Sequence, residues 1–246
     1  MVKKLIIHCC HHKTGTHVMK NILTDVCEHF NLKFQYCRQN KLKKDTDIWM
    51  EKHSLINFKK INRPIVGTHM VRNPCAIIVS AYNYHKITDE PWANEKNKKL
   101  GNSSYKKVLN YLNENYGILF EMKNKLYKES SNNTIMDMYN WNYNMPNFLE
   151  TKFEDLMSDF NGTLTKIFKH YGFTPIMIEK ALKIAENHNI QNKNSQFVLN
   201  NKHITNKTFD LDKWKKYFDN VELKNKFLSI YPSNIFNKIG YPKYLV

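Results

Sequence analysis

LIIHCCHHKTGTHVMKNILTDVCEHF (residues 5–30) decides the fold. Its opening, residues 4–9, is short, apolar and bounded by polar residues, which fits a buried strand. From Thr16 onward the apolar residues fall at Val18, Ile22, Leu23, Val26 and Phe30, the spacing of an amphipathic helix. Between the two lies HHKTGTH (residues 11–17), short, polar and built around Gly15. A strand, a tight glycine-containing turn and a helix make the start of a βα unit.

The same alternation continues along the chain. Residues 33–36 read as a second strand and residues 65–71 as a third. The third ends at Arg72-Asn73-Pro74, where Pro74 suits the first turn of a helix reaching to about His85. A fourth strand is expected at residues 147–151, followed by a helix with Phe160, Leu164, Ile167 and Phe168 on its apolar face and Gly172 at its end. Thr174-Pro175 supplies an N-cap and a first-position proline for another helix. The polar middle of the chain predicts one helix over residues 105–127, with Val108, Leu112, Leu119 and Leu126 inward. Strands alternating with helices imply an α/β fold with a central, mostly parallel sheet flanked by helices. At 246 residues, a single domain over residues 1–246 is the expectation.

Composition narrows the partners. Lys and Arg number 38 against 22 Asp and Glu, a formal charge of +16. This favours anionic ligands, although Lys and Asn are abundant along the whole chain, so much of the charge is a general surface property. A nucleic-acid-binding protein would show a recognised basic motif or an aromatic–basic face, and neither is present. No apolar run approaches the ~20 residues of a membrane helix. The first residues do not read as an export signal, and five cysteines without a CxxC pair argue for reduced thiols. The cytoplasm is therefore the expected location. Cys9, Cys10, His11 and His12 invite a metal reading, but neighbours on a strand point to opposite faces, so no metal site is expected.

The HHKTGTH loop has the parts of an anion cradle. Gly15 permits the turn, and the amides of Gly15, Thr16 and His17 would point into it. The helix start adds partial positive charge, Lys13 a full one, and Thr14 and Thr16 hydroxyl donors. It is not a Walker loop, because Lys13 precedes the glycine, which weighs against an NTP-hydrolysing small-molecule kinase.

KTGTH after an N-terminal strand resembles the 5′-phosphosulfate loop of the sulfotransferases that use PAPS (3′-phosphoadenosine 5′-phosphosulfate). RNPCAIIVS (residues 72–80) is similar to that family's second signature, in which an Arg and a Ser eight positions later hold the 3′-phosphate. Arg72 and Ser80 stand in that register. KFEDL (residues 152–156) resembles a third segment whose aromatic lies against the adenine, and Phe153 takes that place. A weaker likeness, NKTFDLDKWKKYF (residues 206–218), has Trp214 and Phe218 in place and lacks the family's glycines. It puts Lys207, or nearby Lys202, at the position that closes over the 3′-phosphate. The chain departs from the family at Ala76, His17 and Val18.

The resemblance implies a P-loop-like sulfotransferase fold and transfer of a sulfuryl group from PAPS to a hydroxyl or amine. The acceptor would be a small molecule or carbohydrate, PAP the product, and no metal would be needed. Donor-site residues are then Lys13, Thr14, Gly15, Thr16, His17, Arg72, Ser80, Phe153 and Lys207. Lys13 would neutralise charge on the leaving oxygen. For the base, KHSL (residues 52–55) makes His53 first choice, with His69, three residues before Arg72, and Glu51 as alternatives. His85, with Tyr82, Tyr84 and Trp92, is a candidate acceptor wall. The dimer state stays open.

Overall fold

The computed structural model describes residues 3–191 and 210–242. These divide into two compact units. One is drawn from the chain up to Arg72 and the segment beginning at Trp141; the other holds Asn73–Asn140 and the C-terminal helices.

The first unit is built on five parallel strands: β1 (Leu5–Cys9), β2 (Phe34–Tyr36), β3 (Ile48–Glu51), β4 (Ile65–Val71) and β7 (Phe148–Lys152). Their order is β2-β3-β1-β4-β7. Every residue of β1 is buried, which explains why its sequence is a continuous apolar run and not an alternating one. Leu5, Ile7 and Cys9 join Trp49 and Trp141 in one core cluster. Helices α1 (Thr16–His29), α8 (Phe160–Tyr171) and α9 (Pro175–Ala185) pack together, and α8 also lies on β4 and β7. The short α7 (Phe153–Ser158) joins β7 to α8.

Local signals placed most of these elements. Asp159 caps α8 by accepting from the Gly162 amide at 2.9 Å, and Gly172 ends it at φ 88°. Thr174 caps α9, with Pro175 in its first turn. Strand β3 was not expected from sequence. Its four residues are too few to show a period, and all are buried.

The second unit contains α2 (Pro74–His85), α3 (Pro91–Asn94), a small hairpin of β5 (Lys96–Asn97) and β6 (Ser103–Ser104), and then α4 (Tyr105–Tyr111), α5 (Glu114–Lys123) and α6 (Ser131–Tyr139). Short helices follow at Lys215–Phe218, Val221–Ile230 and Ile235–Ile239. The single helix expected over residues 105–127 is interrupted. Asn113 accepts from the Tyr116 amide at 3.0 Å and starts a new helix there, an N-cap signal overlooked in an Asn-rich stretch. No helix among the described residues is long and apolar enough to cross a membrane.

Candidate active site

In an open parallel sheet, ligands collect beyond the carboxyl ends of the strands, where the chain leaves in opposite directions. Here β1 leads through α1 to β2 on one side, while β4 and β7 lie on the other. The residues that follow β1, β3, β4 and β7 are the anion loop, Lys52-His53, Arg72 and Phe153. Four separate sequence expectations thus fall on one edge of one sheet.

Three of them are in contact. Gly15 adopts φ 94°, and a Cβ there would lie 2.9 Å from the Phe153 ring. Glycine is needed both for the left-handed backbone and for the ring's close approach. The Arg72 guanidinium stands over that ring, 4.5 Å from its centroid, and Nη1 donates to the Lys13 carbonyl at 2.9 Å. Lys13 itself has φ 64°. A non-glycine residue in that region costs ~1–3 kcal/mol and persists only where its surroundings hold it; the Arg72 hydrogen bond is one such restraint.

The loop is braced from within. The Thr14 hydroxyl donates to the His11 carbonyl at 2.8 Å and accepts from the His11 amide at 2.8 Å. The Thr16 hydroxyl donates to the same carbonyl at 2.8 Å. Both hydroxyls that the sequence offers to a phosphate are therefore directed at the loop's own backbone in this structure. The first turn of α1 has Gly15 as its N-cap and no side-chain cap, so backbone amides and the helix start form the anion-facing part of the loop. His17 lies half-buried in that first turn.

The turn after β3 is tied to the loop. Ser54 Oγ donates to the Cys10 carbonyl at 2.8 Å. Glu51 is buried, and its Oε2 accepts from the amides of His53 and Leu55 at 2.8 and 3.1 Å. That leaves Glu51 shaping the turn, with half-buried His53 at its tip. His69 is fully buried and both its ring nitrogens have partners: Nδ1 lies 2.6 Å from Glu150 and Nε2 lies 2.8 Å from His11 Nε2. Burial lowers its pKa to about 3.

Ser80 lies two turns into α2, in the second unit. Lys207 and Lys202 lie outside the described residues. His85 is fully buried and bonded to Glu121 at 2.8 Å, with Trp92 and Tyr105 packed edge-on around it; it belongs to the core of its unit. Trp214 and Phe218 are also buried there, their rings 6.1 Å apart.

No protein-family model matches the sequence, and no curated protein is similar enough in sequence to count as a relative. Solved structures are similar in backbone. Mouse sulfotransferase SULT7A1 complexed with PAP superposes with a TM-score of 0.59 at 16% identity, over 99% of this chain and 90% of the other. The chain has the sulfotransferase fold. A second structure with that fold, retinol dehydratase in complex with androsterone and the inactive cofactor PAP, matches with a TM-score of 0.56 at 10% identity, over 94% and 80% of the two chains. Within the sulfotransferase fold, sequence reasoning missed Trp141 and Glu150, which surround His69, and the contact that His11 makes with it. For Glu150 the signal is the β4–β7 register that sets it opposite His69; Trp141 and the Nε2 contact of His11 come from tertiary packing.

Proposed function

We propose that this chain transfers a sulfuryl group from PAPS to a hydroxyl or amine of a small-molecule or carbohydrate acceptor and releases PAP. The observation that carries this reading is the stack of Gly15, Phe153 and Arg72, with Arg72 bonded to Lys13, at the carboxyl edge of β1, β4 and β7. A glycine-turned helix start, a lysine, a guanidinium and a flat ring within one contact shell suit a nucleotide that carries phosphates and a base.

In the reaction the acceptor oxygen or nitrogen forms a bond to sulfur while the bond between sulfur and the 5′-phosphate oxygen breaks. The acceptor's proton goes to a base. The chain's contribution is positioning and electrostatics, as in phosphoryl transfer. Lys13 neutralises charge as it gathers on the departing phosphate oxygen. The amides of Gly15, Thr16 and His17, with Thr14 bracing them from below, hold the 5′-phosphate. Arg72 and Ser80 take the 3′-phosphate, with Lys207 closing over it, and Phe153 lies against the adenine. His53 is the base, on a turn whose shape Glu51 fixes. The reading includes a cytoplasmic enzyme, supported by the odd, CxxC-free cysteine set.

Isothermal calorimetry with PAP tests this. PAP should bind without Mg²⁺, and Lys13→Ala and Arg72→Ala should each lose most of that affinity. Tight ATP–Mg²⁺ binding in place of PAP would instead favour a kinase, and tight oligonucleotide binding a nucleic-acid partner.

A further inference from the structure

Two buried rows of polar groups cross the sheet, and the donor site uses neither. On one face His8 meets Thr68 at 2.7 Å and Tyr171 at 3.3 Å, and the two hydroxyls lie 2.6 Å apart. That triangle is wholly buried and reaches no solvent, and His8 Nε2 has no hydrogen-bond partner among the described residues. The other row is open at one end. Glu150 keeps 32% of its side chain exposed, and its Oε2 lies 2.6 Å from His69 Nδ1. His69 Nε2 lies 2.8 Å from His11 Nε2. His11 is 1% exposed, and its Nδ1 is buried with no hydrogen-bond partner among the described residues.

We propose that Glu150, His69 and His11 form a one-proton relay between the solvent-reached side of the sheet and the ring nitrogen of His11 beneath the anion loop. Every link has two arrangements. With Glu150 ionised, His69 Nδ1–H donates to the carboxylate, His11 Nε2–H donates to His69 Nε2, and His11 Nδ1 is a bare lone pair. With Glu150 protonated, its O–H donates to His69 Nδ1, His69 Nε2–H donates to His11 Nε2, and His11 Nδ1 carries a hydrogen. A proton arriving at His11 Nδ1 moves the His11 Nε2 proton to His69 and the His69 Nδ1 proton to Glu150. Both imidazoles begin and end neutral, and only the carboxyl changes charge.

The surroundings fit that division. Trp141 Nε1 donates to Glu150 Oε1 at 3.0 Å, which turns Oε2 toward His69, and the Trp141 ring stacks on His69 with centroids 4.1 Å apart. Burial drives His69 to about 3 and His11 well below its ordinary value, so neither ring holds a positive charge at neutral pH. Partial burial raises Glu150 to about 8, Trp141's hydrogen bond opposing it, so the carboxyl is the member that titrates near neutrality. The other titratable groups near the row are His8 on β1, whose charge would oppose that of His69, His53 beside His11, and Tyr143 and Cys9, both within reach of Glu150's charge. His11 also carries the carbonyl that the loop's Thr14 and Thr16 hydroxyls hold.

On the sulfotransferase reading, sulfuryl transfer releases one proton, and the row is its exit past His53 to solvent; the relay itself does not depend on that reading. These three are positioning residues, and none is placed against the reacting atoms. Long-range ¹H–¹⁵N spectroscopy of histidine-labelled protein, titrated from about pH 6 to about pH 9.5, reads the tautomers directly. His69 and His11 should exchange tautomers together, with one shared midpoint near 8, the value set for Glu150. In Glu150→Gln both should stay in one tautomer throughout. Fixed tautomers in the natural protein, or either ring charging with its own midpoint, would overturn the relay even if Glu150→Gln fails to fold. PAP calorimetry on the same sample separates the two ideas. Lost PAP binding with coupled tautomers sinks only the donor site, and intact PAP binding with fixed tautomers sinks only the relay.

Discussion

Replacing Gly15 with Ala tests how the anion loop is held. Two costs combine at this residue. The backbone stands at φ 94°, where an L side chain crowds the following carbonyl, at ~1–2 kcal/mol. The new Cβ would also sit 2.9 Å from Phe153 Cδ2 and 3.2 Å from Met70 Sδ. The Met70 thioether can give way, but the Phe153 ring, held between loop and Arg72, cannot swing clear, and overpacking of this kind costs ~1–3 kcal/mol. The total is about 3 kcal/mol, which lowers the Tm of a chain this size by roughly 6–12 °C. PAP affinity should fall with it, because moving the Phe153 ring also moves the support of Arg72. Thermal unfolding with and without PAP measures both effects. Repeating the substitution in a Phe153→Leu background should recover the overpacking part and leave the backbone part, a coupling of roughly 1–2 kcal/mol. A Gly15→Ala protein that melts with the natural one and binds PAP unchanged would refute the packing of loop on ring. Equal losses in both backgrounds would show that the ring is not what Gly15 accommodates.

Other substitutions probe the remaining parts. Lys13→Ala should abolish transfer from labelled PAPS while leaving the melting curve intact, since a half-buried loop lysine adds little to the core. His53→Ala should lower kcat at least ~10²-fold with PAP affinity nearly unchanged; unchanged turnover would show that His53 is not the base. Gly67→Ala should destabilise strongly, as its Cβ would overlap the Phe148 ring and lie 2.9 Å from the Ile7 carbonyl; denaturant melts check this. Burial pushes the Glu121 carboxyl up, but His85, the Ser131 amide and the Tyr105 hydroxyl outweigh it and hold the group below its ordinary range. A depressed acid stabilises the fold above its unfolded value, about 4.3. That contribution is lost as pH falls through the lower folded value, so acid melts should weaken below about pH 4 and Glu121→Gln should flatten the slope.

The parallel sheet was legible because β1 and β4 are short runs closed by clear turn and cap residues, Gly15 after the first and Asn73-Pro74 after the second; β7 runs into α7 at Lys152 with no side-chain cap. The resemblance to the sulfotransferase signatures implied one site for Lys13, Arg72 and Phe153, and the strand order brings all three to one edge. Strand β3 was hidden because four buried residues show no period. The break between α4 and α5 was hidden because Asn113 is one asparagine among many, and only its bond to the Tyr116 amide marks it as a cap. The Glu150–His69–His11 row depends on a β4–β7 register and a loop path, which are both products of tertiary packing. For the same reason His85 read as an acceptor wall, while its partner Glu121, a buried acid on α5, drew no attention.

A crystal structure of the protein with PAP would probe the donor site most directly. The 5′-phosphate should rest on the amides of Gly15 to His17 beside Lys13, with the adenine along Phe153 and the 3′-phosphate on Arg72. A nucleotide seated elsewhere, or one that leaves Arg72 and the loop untouched, would contradict the account.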